Sequence, residues 1–218
     1  MKYYPINLNL KGKKCVIVGG GKVAERKVLG LLECGADITV ISPWLTPCLQ
    51  ELWDKKKISY VPRAYNPRYL KGAHLVVAST DNARVNRQVG ERAKRLGILV
   101  NIVSAPRLSD FTVPSIIRRG DFMVTISTGG KSPALSRRLR LELENTLGKE
   151  YEIFTEILGA IRRKLRAISP EKRRLMYTGV AMSNIPKLLR EKKYKRAEKE
   201  LKRITGLGFD EIKFSLKR

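Results

Sequence analysis

The chain has 218 residues, 43% apolar and 30% charged, and its 45 Lys and Arg against 20 Asp and Glu give a net charge of +25. That apolar share excludes a disordered chain, and the length allows one large or two small domains with a sizeable core. A field this positive points to anionic partners, either nucleic acid or a small molecule rich in carboxylates or phosphates.

The first hundred residues alternate between two periodicities. Lys14–Val18 is a short β-branched run ending in glycines, read as a buried strand. Helical spacing of Val23, Lys27, Val28, Leu31 and Leu32 predicts a helix over Val23–Cys34, closed by Gly35. Asp37–Ile41 is a second strand, stopped by Ser42-Pro43, and a weaker helix follows over Leu45–Asp54. Short strands are expected at Ser59–Pro62, Ala73–Ala78 and Leu99–Val103, with a helix over Asn82–Leu96 capped by Thr80 or Asp81. This rhythm predicts an α/β fold, a Rossmann-type doubly wound parallel sheet with helices on both faces.

After Pro106 the rhythm changes. Phe111–Ile117 and Phe122–Ser127 read as two strands joined across Arg118-Arg119-Gly120-Asp121. Ser132-Pro133 then opens a helix over 134–147, in the order N-cap then N1 proline. Helices are expected at about 150–168, at 170–180 and through a basic stretch from Ile185 to Arg203. The predicted division is a nucleotide-type sheet domain at 1–110, a hairpin-plus-helix segment at 111–148 and a basic all-helical domain at 149–218. Residues 1–150 carry a net +14 and residues 151–218 a net +11 in less than half that length.

No apolar run approaches the roughly 20 residues of a membrane span. The N-terminus has no apolar segment followed by a small-residue cleavage site. A soluble cytoplasmic protein is expected. Cys15, Cys34 and Cys48 fit neither a disulfide framework nor a zinc pattern, and reduced, mostly buried thiols are expected. His74, the one histidine, begins a strand and has no sequence partner for a metal site or triad, so it reads as structural.

The sharpest local signal is Gly19-Gly-Gly21-Lys-Val-Ala24, which fills G-x-G-x-x-A between a strand and a helix. The first glycine permits the tight turn, the second lets backbone approach a pyrophosphate, and the small third residue lets helix and strand pack closely. The helix start then presents N–H groups and a positive dipole end to the phosphates. The competing reading is a glycine-rich turn with no ligand. The acidic residue expected at the end of the second strand, to hold the adenosine ribose, is replaced by Ser42, with Trp44 available to cover the adenine. No arginine follows immediately, which favours NAD over NADP. Ser79-Thr80-Asp81-Asn82 follows the fourth strand, where the nicotinamide side is expected.

These segments together resemble the precorrin-2 dehydrogenase/sirohydrochlorin ferrochelatase family, which includes the N-terminal half of bacterial sirohaem synthase. The resemblance runs through Val18–Lys27, Leu32–Pro43, Ala78–Asp81, Asn101–Pro106, Phe111–Ile117 and Ile126–Ala134, covering about residues 1–147. It implies NAD-dependent oxidation of precorrin-2 to sirohydrochlorin, with iron insertion in some members, in a homodimer. It also implies cofactor contacts at Gly19, Gly21, Lys22, Val23, Pro43 and Trp44, with Ser79 and Thr80 as further candidates. The substrate, a tetrapyrrole with about eight carboxylates, suits a cationic protein.

The sequence departs from the family pattern at Ser104, where relatives carry an acid/base aspartate, and at Thr128, where they carry serine. A serine cannot act as a carboxylate base at neutral pH. Asp110 and Asp121 are the nearby carboxylates that would substitute. Three readings stay open: a dehydrogenase-only member, a relocated carboxylate, or an impaired relative. Hydride transfer is less exposed to this change than iron chelation, and the metal ligands are unassigned. Gly129-Gly130-Lys131-Ser132, with Thr128, reads either as an anion-binding nest for a substrate carboxylate or as an ordinary hairpin-to-helix connection.

The rival class is nucleic-acid binding by the basic helices, or an NAD-binding regulator that uses them to read DNA. Against it, Glu191, Glu198 and Glu200 interleave with the basic residues at helical pairing distances. An apolar stripe of Ile185, Leu188, Leu189, Tyr194, Ala197 and Leu201 also makes a packed helix with a solvated face the favoured reading.

Overall fold

The β-branched run at Lys14–Val18 forms β1, and its alternate side chains go to opposite faces of a sheet built around it. The computed structural model describes residues 3–214, and the chain divides between Val113 and Pro114 into two units. Five parallel strands make the sheet of the first unit: β1, β2 (Asp37–Ile41), β3 (Ser59–Val61), β4 (Leu75–Ala78) and β5 (Leu99–Ile102), in the order β3-β2-β1-β4-β5. The strand order runs outward from β1 to β2 and β3 on one side and to β4 and β5 on the other, and the gap between β1 and β4 is the switch point that the Rossmann reading requires.

Helices cover both faces. Cys15 and Ile17 of β1, with Ile38 and Val40 of β2, pack on Ala24 and Val28 of α1 (Lys22–Glu33) and on Leu49 of α2 (Pro47–Asp54). On the other face Val16, Val18, Val76 and Val100 meet Val89 and Ala93 of α3 (Ala83–Arg95). Gly90 brings α3 close to β5, since a Cβ there would lie 2.5 Å from Ile102 Cδ1. Truncating a fully buried side chain such as Ile17 to alanine would cost about 2–5 kcal/mol.

β5 is an edge strand, and the segment after it closes that edge with side chains. Ser109 Oγ accepts the Ile102 N–H at 2.8 Å, and Asp110 Oδ2 accepts the Val100 N–H at 3.0 Å. Asn101 Nδ2 donates to the Phe111 carbonyl at 2.9 Å. This anchoring corrects the strand expected over Phe111–Ile117: pairing begins only at Ser115, because 109–111 is held along β5.

The second unit opens with the hairpin of β6 (Ser115–Arg119) and β7 (Phe122–Ile126), paired antiparallel from Ser115↔Ile126 to Arg119↔Phe122. Its turn is only Gly120-Asp121, with Gly120 at φ 58, so Arg118 and Arg119 belong to the strand rather than the turn. Then follow α4 (Pro133–Thr146), α5 (Glu150–Lys164), α6 (Pro170–Ala181), α7 (Ile185–Arg190) and α8 (Tyr194–Thr205). Phe154, Ile157 and Ile161 of α5 meet Val180, Ile185, Leu189, Ala197 and Leu201 in one core. The hairpin is tied to these helices by Phe122 stacking on Tyr151 at 5.0 Å and by Arg119 Nε donating to the Leu147 carbonyl at 3.1 Å. The last four positions of the expected helical domain lie outside the described residues.

Two further expectations are corrected. The helix expected from Ile185 to Arg203 is broken at 191–193, where Lys192 takes φ 57, a conformation that a helix cannot contain. Only one of the thiols is buried: Cys15 is enclosed in the sheet, and burial followed by the nearby Asp37 charge pushes it up to about 11. Cys34 is exposed, Cys48 is half-buried, and all three are free.

Candidate functional site

The turn after β1 is shaped by close approaches on both sides. Gly19 stands at φ 121, and a Cβ there would lie 2.8 Å from the Ser79 carbonyl oxygen, so β1 and β4 end against each other only with glycine. The Ser79 N–H and hydroxyl both donate to the Val18 carbonyl, at 2.9 and 3.3 Å. Gly20, the free position of the motif and passed over in the sequence, is the most restricted of the three. A Cβ there would fall 1.9 Å from the Trp44 carbonyl. Gly21, at φ −85, is the N-cap of α1 and has no capping side chain, and its nearest neighbour would be Trp44 Cη2 at 3.6 Å. Ala24 is fully buried where α1 meets the sheet.

Thr46 binds this turn to α2. Its N–H donates to the Gly20 carbonyl at 3.0 Å, and its hydroxyl oxygen accepts the Leu49 N–H as the cap of α2. The nearby Thr46 hydroxyl and the Lys22 ammonium 3.2 Å away hold Glu25 below the usual carboxylate range. Lys22 itself extends into solvent beside Val23 at the start of α1.

Ser42 is turned inward, 4% exposed, with its hydroxyl oxygen accepting the Trp44 N–H at 3.4 Å. A ribose contact from Ser42 therefore has no support in the geometry. Trp44, after Pro43, is 60% exposed above the glycine turn, as a cover for a flat ring requires.

At the ends of β4 and β5 a second cluster forms. The cap of α3 is Asn82, not Thr80 or Asp81, and it accepts the N–H groups of Arg84 and Val85. Thr80 instead bonds the carboxamide of Asn86, which also donates to Ser104 Oγ at 3.1 Å. The sequence signal for Asn86 was its place in the buried stripe Asn86, Val89, Gly90, Ala93, where a polar residue demands partners. His74 is exposed at the start of β4, where its N–H donates to the Lys14 carbonyl.

Of the alternative carboxylates, Asp110 is engaged with the Val100 N–H halfway along β5, away from the carboxyl end of the sheet. Asp121 lies in the second unit, exposed at the hairpin turn. In the 128–132 turn, Gly129 and Gly130 adopt φ 63 and 83. The amides of Gly129, Lys131 and Ser132 are bonded to Ser127 Oγ, the Thr128 carbonyl and Thr128 Oγ1, so three of the turn's donors are used internally. Ser132 caps α4 as expected, accepting the Leu135 N–H at 3.2 Å.

No cluster of three or more His, Cys, Asp or Glu side chains suited to a metal ion occurs among the described residues. A shallow concavity of about 400 Å³, lined by Asp37, Trp53, Lys57 and Tyr60, lies at the amino ends of β2 and β3, the opposite edge from the glycine turn. No helix among the described residues is long and apolar enough to cross a membrane.

The glycine turn at a switch point, opening on an uncapped helix, is a fitting cradle for a dinucleotide pyrophosphate. Residues 6–115 match a family model described as putative NAD(P)-binding. The chain belongs to that family. Residues 119–146 match the model for the central part of sirohaem biosynthesis proteins. A sirohaem synthase of Nitrosococcus oceani is 36% identical over 211 residues, covering 96% of this chain and 45% of the relative. Sirohaem synthase 1 of Aeromonas salmonicida is 42% identical over 167 residues, covering 77% and 36%. The chain thus spans less than half the length of these curated relatives. A solved structure described as SirC, precorrin-2 dehydrogenase, superposes with a TM-score of 0.77 at 25% identity, over 94% of this chain and all of that one. The family resemblance read from the sequence is borne out by these matches.

Proposed function

We propose that this chain is a precorrin-2 dehydrogenase that oxidises precorrin-2 to sirohydrochlorin with NAD. The observation that carries the reading is the meeting of Gly19 and Ser79 at the switch point, with Ser104 joined to the same edge through Asn86. The likeness along nearly the whole chain to a precorrin-2 dehydrogenase supports the substrate.

NAD, when bound, supplies the hydride acceptor. The chain's own residues bind and orient. The turn at 19–21 and the open start of α1 hold the pyrophosphate, and Trp44 covers the adenine side. Glu25 is paired with Lys22, so its charge is partly offset beside the phosphate site. The strongly basic surface gathers the carboxylates of the substrate. With serine at 104, no carboxylate stands at the family's acid/base position, and water takes the proton released during oxidation.

We assign the chain to the cytoplasm, where an exposed free thiol such as Cys34 stays reduced. A homodimer is supported by the exposed Ile116, Met123, Leu135 and Leu141 on the hairpin and α4. Light scattering is expected to give twice the 24.7 kDa chain mass, and a monomer at micromolar concentration would refute the dimer.

The test of the activity is an anaerobic absorbance assay with precorrin-2 and NAD, followed by addition of ferrous ion. NADH and the sirohydrochlorin spectrum are expected to appear together. Their absence from folded, NAD-binding protein would overturn the reading. Iron insertion above the protein-free rate would add a chelatase activity and call for a carboxylate other than one at position 104.

A further inference from the structure

Asn86 is 1% exposed, and every hydrogen-bonding site on its carboxamide is used. Oδ1 accepts the Thr80 N–H at 3.2 Å and the Thr80 hydroxyl at 2.7 Å. Nδ2 donates to the Thr80 carbonyl at 2.9 Å and to Ser104 Oγ at 3.1 Å. The orientation is forced, because the Thr80 N–H can only donate and the Thr80 carbonyl can only accept. Ser104 Oγ is therefore an acceptor towards Asn86, and its single hydrogen is left for an acceptor outside the chain. Ser104 is exposed and makes no other hydrogen bond among the described residues.

Burying an amide in a helix face costs free energy unless its partners repay it. Here the partners are the two turns that follow β4 and β5. Helix α3 already has its cap in Asn82, so the Asn86 side chain is not needed to start it. In the order β1-β4-β5, Ser104 lies two strand spacings, about 10 Å, from the glycine turn. It lies on the side away from β2, where the adenosine half of a dinucleotide belongs.

We propose that Asn86 is a positioning residue for the nicotinamide half of the cofactor. It holds Ser104 with its hydroxyl hydrogen turned outward, as the donor to the carboxamide oxygen of the nicotinamide. The proposal rests on the NAD reading above and adds to it a residue and a contact.

The test compares calorimetric titrations with NAD and with ADP-ribose, which lacks the nicotinamide, for the wild type, Ser104→Ala, Asn86→Asp and the double variant. Ser104→Ala is expected to weaken NAD binding about three- to tenfold, one hydrogen bond, and to leave ADP-ribose within about twofold. Asn86→Asp is near-isosteric, and its carboxylate would accept the Ser104 hydrogen and turn the donor inward. It should lower the NAD to ADP-ribose preference as Ser104→Ala does, and the double variant should lower it no further. Should Asn86→Asp fail to fold, Ser104→Ala alone still decides, since its side chain is at the surface. An unchanged preference in Ser104→Ala, or equal losses for both ligands in Asn86→Asp, would overturn the proposal and leave the dehydrogenase reading standing. Failure of the wild type to bind either ligand would overturn both.

Discussion

The Gly20 carbonyl accepts the Thr46 N–H at 3.0 Å, and the same short loop brings the Trp44 carbonyl to the place a Gly20 Cβ would need. Gly20 is therefore restricted by the protein itself, whereas on the proposed reading Gly21 is restricted by the bound pyrophosphate. Gly20→Ala is expected to cost about 1–3 kcal/mol by overpacking. Gly21→Ala, at an ordinary φ with room around it, should keep or slightly raise stability, yet lower NAD affinity tenfold or more by standing between backbone and pyrophosphate. Thermal melts paired with NAD titrations check both. Equal melting losses in the two variants would contradict the distinction.

Glu150 makes the second unit acid-sensitive. Burial raises its pKa, but the Arg190 guanidinium and the N–H groups of Gly148 and Glu150 outweigh burial and hold it below the ordinary 4.5. Arg190 donates through Nε at 2.9 Å and also reaches the Thr146 carbonyl, joining the end of α4 to α7. A depressed folded-state pKa gives stability that is complete above about pH 4.5 and is lost as pH falls through the folded value. Glu150→Gln should cost about 1–3 kcal/mol at pH 7. It should also flatten the loss of stability between pH 5 and pH 3, measured by urea unfolding.

Asp110→Asn separates a structural carboxylate from a catalytic one. The amide oxygen can still accept the Val100 N–H, so precorrin-2 oxidation should stay within about twofold, with a stability loss of about 1 kcal/mol. A hundredfold fall in kcat with an unchanged melting temperature would instead make Asp110 the acid/base group.

Salt should act on the two ligands unequally. Attraction of a polycarboxylate by a net +25 chain is long-ranged and screened over about 8 Å at physiological ionic strength. The substrate KM should rise about threefold or more between 50 and 300 mM salt, with a smaller change in NAD affinity. Matching salt slopes for the two would show that the general field does not select the substrate.

The sheet was legible because its signals are local. Lys14–Val18 and Asp37–Ile41 end where the sequence predicts, since β-branched runs stopped by glycine or Ser-Pro leave the chain few options. The apolar stripe of the basic helices was legible too: Ile185, Leu189, Ala197 and Leu201 are all buried. The break at Lys192 was not, because a left-handed lysine has no sequence signature and the stripe continues across it. Gly20, Thr46 and Asn86 escaped for a different reason. Their importance comes from partners 24, 26 and 18 positions away: Trp44, Gly20 and Ser104. Periodicity within one element can mark Asn86 as buried, but it does not name the partner on another element.

Ser109 and Asp110, which seal the edge of β5, follow that strand by fewer than ten residues. During synthesis the seal becomes available almost as soon as β5 has left the ribosome, before the helices of the second unit have emerged. The β5 edge of the nascent sheet is thereby closed to pairing with a neighbouring nascent chain during the interval when an open strand edge is most hazardous.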